Sequence, residues 1–213
     1  MSYLNIKHNS RLVIDTSYPW IDMSEFKSNY NLSPFYGGGQ EAKPMDSPYP
    51  LGKDITLRMF FDSDHAEDKS DRRSRTGFMV FVNMEMINWH TRKQAHVECA
   101  VFGAKFVAMK QGVEALRGIR FKLQMMGVKI DVPTYVYGDN MSVIHNTSNP
   151  ELVFKNKSNS ICYHFVREAV VMKTFLSTHV PTAINWADLL WKVLFGKKRR
   201  ELVQGVLFDI YDY

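Results

Sequence analysis

A mixed α/β fold, one sheet with helices packed against it, is what this 213-residue sequence predicts. Three β-forming runs follow one another with short links between residues 55 and 90, which points to an antiparallel meander. A long stretch from Glu98 to Met126 then repeats apolar residues at helical spacing and is broken by Gly127. Beyond it, short apolar runs alternate with helical patterns, as they do when a sheet is completed by crossover connections.

Taken in order, the first 53 residues are the least regular. "YLNIKHNSRLVID" reads as a short helix end and a strand, whereas "SPFYGGGQEAKPMDSPYPLGKD" is thick with Gly, Pro and Ser, so residues 31–53 read as a linker or extended connection. "ITLRMFFDSD" alternates and is rich in β-formers, a strand of about 55–62 that ends on Asp62. "TGFMVFVN" makes a second strand at 76–83 and "EMINWHTRK" a third at about 85–90. After the long helix, "PTYVYGDN" is a short apolar strand running into Gly138-Asp139, and "NMSVIHNTS" is a short helix. "NSICYHFVREAVVMK" is helical by its spacing, "FLSTHVP" is a last strand, and "INWADLLWKVL" reads as a terminal helix. The order is β-β-β-α-β-α-α-β-α, with no internal repeat.

An apolar content of 45% is enough to bury one good core, and 13% aromatic residues argue against a largely disordered chain. The formal charge of +5 and pI near 9.1 suit a polyanionic partner, although many basic proteins have none. Cys99 and Cys162 lie 63 positions apart without CxxC or CxxH spacing, which speaks against zinc and for two buried, reduced thiols. No run of 18 apolar residues exists, and "MSYLNIKHNSRLV" lacks the apolar core of a signal peptide. The expectation is a soluble, intracellular chain with no membrane partner.

Two features carry chemistry. Within the long helix, Val101, Lys105, Ala108, Met109, Gly112 and Leu116 share one face, so a lysine is aimed inward with apolar residues. Acids stand at the end of the first sheet strand (Asp62), after the fourth (Asp139) and in the last helix (Asp188). Each has a plain reading alone: a turn at Asp62-Ser63-Asp64, a helix cap at Asp139-Asn140, a solvated helix position at Asp188. Together they match the oxygen-rich donor set that hard divalent cations require.

The blocks "LRMFFDSDHAEDKSDRRSRTGFMVFVN", "INWHTRKQ", "VFGAKFVAMKQGVEALRGIR", "YVYGDNMSVIHNTSNP", "NSICYHFVREAV" and "TAINWADLLWKVL" resemble, in order, the ribonuclease H region of Ty1/copia-type retrotransposon polyproteins. The resemblance spans residues 54–195; residues 1–53 look like the connection that follows the reverse transcriptase, and 196–213 are a basic, then apolar, tail. There is no Tyr-x-Asp-Asp polymerase motif. What the resemblance implies is a ribonuclease H-like fold, a mixed five-stranded sheet of three antiparallel strands followed by two parallel ones. It also implies four acids holding two Mg²⁺ (or Mn²⁺) ions and hydrolysis of the RNA strand of an RNA–DNA hybrid, with an upstream reverse transcriptase as neighbour. Asp62, Asp139 and Asp188 match three of those acids as catalytic and metal-ligating residues. The fourth is a glutamate in a Glu-aromatic-x-Ala pattern, which here reads Lys105-Phe106-Val107-Ala108.

A protonated lysine has donors only and cannot ligate Mg²⁺. Unit charges 4 Å apart interact by roughly 4 kcal/mol at an effective dielectric near 20, and a divalent ion doubles that. Lys105 instead suits the role of internal counter-ion among three aspartates. Two substitutes are weighed: Glu98, seven residues earlier and roughly 10 Å along the helix, is too distant, and Asp64 serves only if its strand continues past Asp62. On these terms Lys105→Glu is expected to confer or greatly raise Mg²⁺-dependent hybrid cleavage. Two further departures from the resembled pattern are Glu67, where a glycine is usual, and the bulky Trp191 after "ADLL".

Arg72, Arg73 and Arg75 in "DRRSRTG", with Arg92 and Lys93 in "TRKQ", are the candidate nucleic-acid-binding residues, against a reading as solvated turns. "GKKRRE" reads as a solvated face, and His164 and Arg167 as surface or packing residues. Three functional readings stand: a crippled ribonuclease H-like domain, a binding module that holds a hybrid or duplex without cleaving it, and a relic with neither activity.

Overall fold

The run Leu57–Ser63 is buried at every position. Only a strand covered on both faces and flanked on both edges accepts such a run, so this segment is the centre around which the sheet is built. The computed structural model describes residues 10–12, 15–26, 31–149, 157–192, 194 and 196–209. In chain order these form β1 (Ser10–Leu12), a 3-10 helix (Met23–Phe26), α1 (Ser33–Tyr36), β2 (Leu57–Ser63), β3 (Arg75–Val82), β4 (Glu85–Lys93) and α2 (Val101–Met125). There follow β5 (Thr134–Gly138), α3 (Met141–Ser148), α4 (Lys157–Val171), β6 (Phe175–His179), 3-10 helices at Thr182–Ile184 and Trp186–Leu190, α5 (Gly196–Gln204) and β7 (Leu207–Asp209).

The main sheet has the order β4-β3-β2-β5-β6. β2–β3 and β3–β4 are antiparallel, β2–β5 and β5–β6 parallel. This is the mixed five-stranded sheet, three antiparallel strands and then two parallel ones, that the resemblance implies. The β3–β4 hairpin turns at Asn83, whose backbone takes a left-handed φ of 53° that asparagine tolerates. The Asn83 side chain accepts a hydrogen bond from Thr56 N at 2.9 Å, tying the turn to the start of β2.

Side-chain alternation sorts the core into two layers. Met59, Phe61, Phe78 and Val80 face α2, which offers Ala104, Ala108, Met109, Val113 and Leu116, with Tyr163, Val166 and Ala169 of α4 behind. Phe60, Met79, Phe81, Tyr135 and Tyr137 face the opposite way, onto Phe26, Ala187 and Val206 with Trp186 alongside. Phe60 stacks on Tyr137 with ring centroids 4.7 Å apart. Residues 31–53 are anchored by an ion pair: buried Arg120 of α2 reaches half-buried Glu41 at 2.7 Å.

Several expectations are corrected here. The long helix begins at Val101 rather than Glu98, because Ala100 is extended (φ −132°, ψ 144°), and Val101 is 44% exposed instead of facing inward. Cys99 therefore lies on the exposed approach to the helix and is not a buried thiol; both cysteines are free. The third strand runs on to Lys93. The terminal helix does not form: Asn185 is extended (φ −77°, ψ 105°) and divides the segment into two 3-10 helices. The left-handed residue in the "HAED" turn is Ala66 (φ 54°), so Glu67 imposes no strain there. The "GKKRRE" run is helix α5, and β7 beyond it pairs antiparallel with β1. The helix end read in residues 3–9 and the last four residues of the tail lie outside the described residues. No helix among the described residues is long and apolar enough to cross a membrane.

Candidate functional site

Sheet register places the first two acids side by side. β2 and β5 run parallel with Phe61 opposite Gly138, so the next residues, Asp62 and Asp139, leave neighbouring strands at the same level. Glycine at 138 permits this approach, since a Cβ there would lie 2.5 Å from the Phe61 ring. The third acid arrives from the other layer. Asn185, wholly buried, donates from Nδ2 to Phe61 O at 3.1 Å and accepts from Ala187 N at 3.2 Å, so one side chain both starts the Trp186–Leu190 helix and pins it to the end of β2. Gly77, paired with Asp62, lets that helix settle: a Cβ there would stand 3.1 Å from Trp191 Cδ1 and 3.3 Å from Leu190 Cβ.

Asp62, Asp139 and Asp188 thus converge, with one carboxylate oxygen of each within 4.8 Å of the others. Asp62 and Asp188 have no solvent exposure. Lys105 enters from α2 as its helical face requires, and its Nζ lies 2.5 Å from both Asp62 Oδ1 and Asp139 Oδ1. Two further lysines join it. Lys192 Nζ is 3.1 Å from Asp62 Oδ2 and 2.5 Å from Asp188 Oδ1, and Lys198 Nζ is 2.7 Å from Asp188 Oδ2. Thr182 Oγ1 donates to Asp139 Oδ2 at 3.2 Å. Every one of the six carboxylate oxygens therefore accepts from a donor of this chain.

Electrostatics follow from burial against these partners. Burial pushes Asp62 up to about 7, an effect only partly offset by the Lys105 charge and reinforced by Asp139. Burial works on Asp139 in the same sense, but the hydrogen bond and charge of Lys105, with the charge of Lys192, outweigh it and hold that carboxyl below its ordinary range. Lys192 is raised: burial opposes its charge, and Asp188 and Asp62 more than compensate.

A hard cation needs oxygen lone pairs free to point at it. Here every oxygen already accepts from an ammonium or a hydroxyl, and a divalent ion about 4 Å from an ammonium meets a repulsion of roughly 8 kcal/mol at an effective dielectric near 20. The acidic triad is present, but the residues around it do not fit a pair of divalent ions. Neither weighed substitute joins it. Asp64 lies beyond the end of β2 and accepts from Arg75 N at 2.6 Å, while Glu98 precedes α2 and lines a separate cavity of about 670 Å³ with both cysteines.

The candidate nucleic-acid-binding residues divide. Arg73 pairs with Asp71 at 2.6 Å within the 68–73 loop, and Lys93 holds that loop against β4 through Asp68 at 2.5 Å and Asp71 at 3.2 Å. Arg72, Arg75 and Arg92 are exposed. Arg92 pairs with Thr76, which pairs in turn with Ser63, so it stands at the triad's end of the sheet. Exposed His164 shares a hydrogen bond at Nδ1 with Tyr36 OH at 2.6 Å, and Arg167 is buried over the Tyr163 ring, a surface and a packing position respectively. Lys192, Lys198, Asn185 and Thr182 are the site residues that sequence reasoning missed. Lys192 had a local signal, its i+4 spacing from Asp188. Lys198 had none.

No protein-family model matches the chain. Over 143 residues, 67% of this chain, it is 29% identical to the retrovirus-related Pol polyprotein from transposon RE1 of Arabidopsis thaliana. It is 27% identical over the same length to that from transposon TNT 1-94 of Nicotiana tabacum. The chain spans about a tenth of the length of these polyproteins, 10% and 11%. Among solved structures, LC11-RNase H1 in complex with an RNA/DNA hybrid superposes with a TM-score of 0.50 at 12% identity, covering 63% of this chain and 93% of that one. That likeness concerns the fold.

Proposed function

We propose that this chain, whose homologues are retrovirus-related Pol polyproteins from copia-type transposons and whose fold is that of a ribonuclease H domain, is a hydrolytically silent ribonuclease H-like domain. The observation that carries the reading is Lys105, 2.5 Å from two of the three acids, in the position where the resembled pattern has a glutamate ligand. Two-metal hydrolysis by Asp62, Asp139 and Asp188 with Mg²⁺ or Mn²⁺ requires those oxygens free, and an ammonium inserted among them supplies the wrong charge. In this reading residues 1–53 are the connection from an upstream reverse transcriptase and 54–195 the domain, to which Lys198 joins the following helix. The test is the purified chain on a labelled RNA–DNA hybrid with Mg²⁺ or Mn²⁺, beside an active ribonuclease H. We expect no product above background; metal-dependent turnover above background would refute the proposal.

A second reading, retention of hybrid or duplex by contact with phosphates, is favoured by the exposed Arg72, Arg75 and Arg92. If each neutralises one phosphate, affinity falls with added salt with a log–log slope of about −3. Absence of binding at low salt removes this second reading and leaves the first intact.

A further inference from the structure

We infer that Lys192 and Lys198, together with Lys105, make the acidic triad a closed, metal-independent ionic cluster that fastens the C-terminal segment to the sheet, so that reversing position 105 alone does not reopen it to a cation. The inference rests on the reading of the site as hydrolytically silent and deepens it, because it assigns the closure to three lysines from three separate segments rather than to one substitution.

The geometry is that of a chain of bridges. Lys105 of α2 joins the end of β2 to the end of β5 through Asp62 and Asp139. Lys192 joins Asp62 to Asp188, its own neighbour one turn back, and so ties the Trp186–Leu190 segment to β2. Lys198 of α5 completes the series at the remaining oxygen of Asp188. Three carboxylates face three ammoniums, and the lysine side chains are only 12%, 25% and 32% exposed. Lys192 is further held over the Trp191 ring, 4.5 Å from its centroid, and that ring lies against Gly77. The bulky residue after "ADLL" thus supports a lysine of the cluster.

Glutamate at position 105 would free one oxygen each of Asp62 and Asp139. It would leave Lys192 and Lys198 on Asp62 Oδ2 and on both oxygens of Asp188. A cation entering there still meets two ammoniums. This revises the expectation drawn from sequence, that Lys105→Glu by itself confers Mg²⁺-dependent cleavage.

The sign of one substitution separates the two kinds of site. Acids gathered to await a cation repel one another when the cation is withheld, so neutralising one of them stabilises the fold. Acids already paired lose by the same change, because buried partners are stranded.

The test uses the full chain in EDTA. Asp188→Asn should lower the melting temperature by about 5 °C or more; an unchanged or raised value overturns the inference. In a second arm, melting is followed with millimolar Mg²⁺ for the unaltered chain, for Lys105→Glu and for the triple variant Lys105→Glu, Lys192→Gln, Lys198→Gln. Only the triple variant should respond, with a rise of about 5 °C at a hundredfold excess over Kd. An equal response from Lys105→Glu, or none from a folded triple variant, overturns it. Should the triple variant not fold, the Asp188→Asn arm decides alone. Hybrid cleavage by the unaltered chain would remove the underlying reading, whereas equal metal responses of the single and triple variants remove this inference only.

Discussion

Replacing Lys105 with methionine keeps an apolar stem as far as Cε and removes the ammonium, which lies 2.5 Å from an oxygen of Asp62 and of Asp139. Stranding buried carboxylates in this way costs about 3–5 kcal/mol. Protonation sets a ceiling on the loss: driving one carboxylate from its ordinary range to above neutrality costs at most about 4 kcal/mol at pH 7. The expected loss at neutral pH is therefore about 3 kcal/mol, or roughly 6–12 °C in Tm for a domain of this size. Its pH dependence identifies its origin. In the unaltered chain Asp139 is held low, so it contributes stability above its unfolded value of 3.8 that is lost as pH falls through its folded value. In the variant, burial is left to dominate and the folded value rises; the penalty is absent below the unfolded value and grows as pH rises through the window above it. Burial already pushes Asp62 up to about 7, so losing the Lys105 charge has little further penalty to add there at neutral pH. The gap between the two proteins is therefore wide at neutral pH and smaller near pH 3.8, where the variant's penalty has gone but the stabilisation of the unaltered chain, lost only as pH falls through the folded value, is still present. Thermal or urea unfolding in EDTA at these two pH values measures it. An equal loss at both would mean that packing and not charge was removed, and a gain in stability would contradict the counter-ion role altogether.

Asn185→Ala should cost about 2–3 kcal/mol by urea unfolding, since it removes the start of the 3-10 helix and leaves Phe61 O without its side-chain donor; a loss under about 0.5 kcal/mol would show that packing alone seats this segment. Asp68, held well below the ordinary range first by the hydrogen bond from Lys93 and then by those from Ser70, should keep its loop in place until pH falls below 3.8. In Lys93→Ala the Asp68 carboxyl should titrate closer to that ordinary value, as read by NMR, and an unmoved titration would show that Lys93 does not hold it.

Periodicity and strand-end placement alone determined the order of elements from residue 55 to residue 179, the positions of Asp62 and Asp139 at the ends of two strands, and the inward course of Lys105. Those are consequences of local geometry: alternation in a strand and the 3.6-residue turn of a helix decide which way a side chain points before any partner is known. What that reading lacked was distance through space. Asp188 sits in a 3-10 helix and not an α-helix because Asn185 is drawn into contact with Phe61, 124 residues earlier in the chain. Arg73 and Lys93 resemble free cations in sequence, yet the fold of the 68–73 loop engages both. Lys198 falls in a run that looks solvated until α5 carries it to Asp188. The sequence could therefore name the three acids and one lysine beside them, while only the packing of three separate segments decided that the charges would balance and the oxygens would be filled.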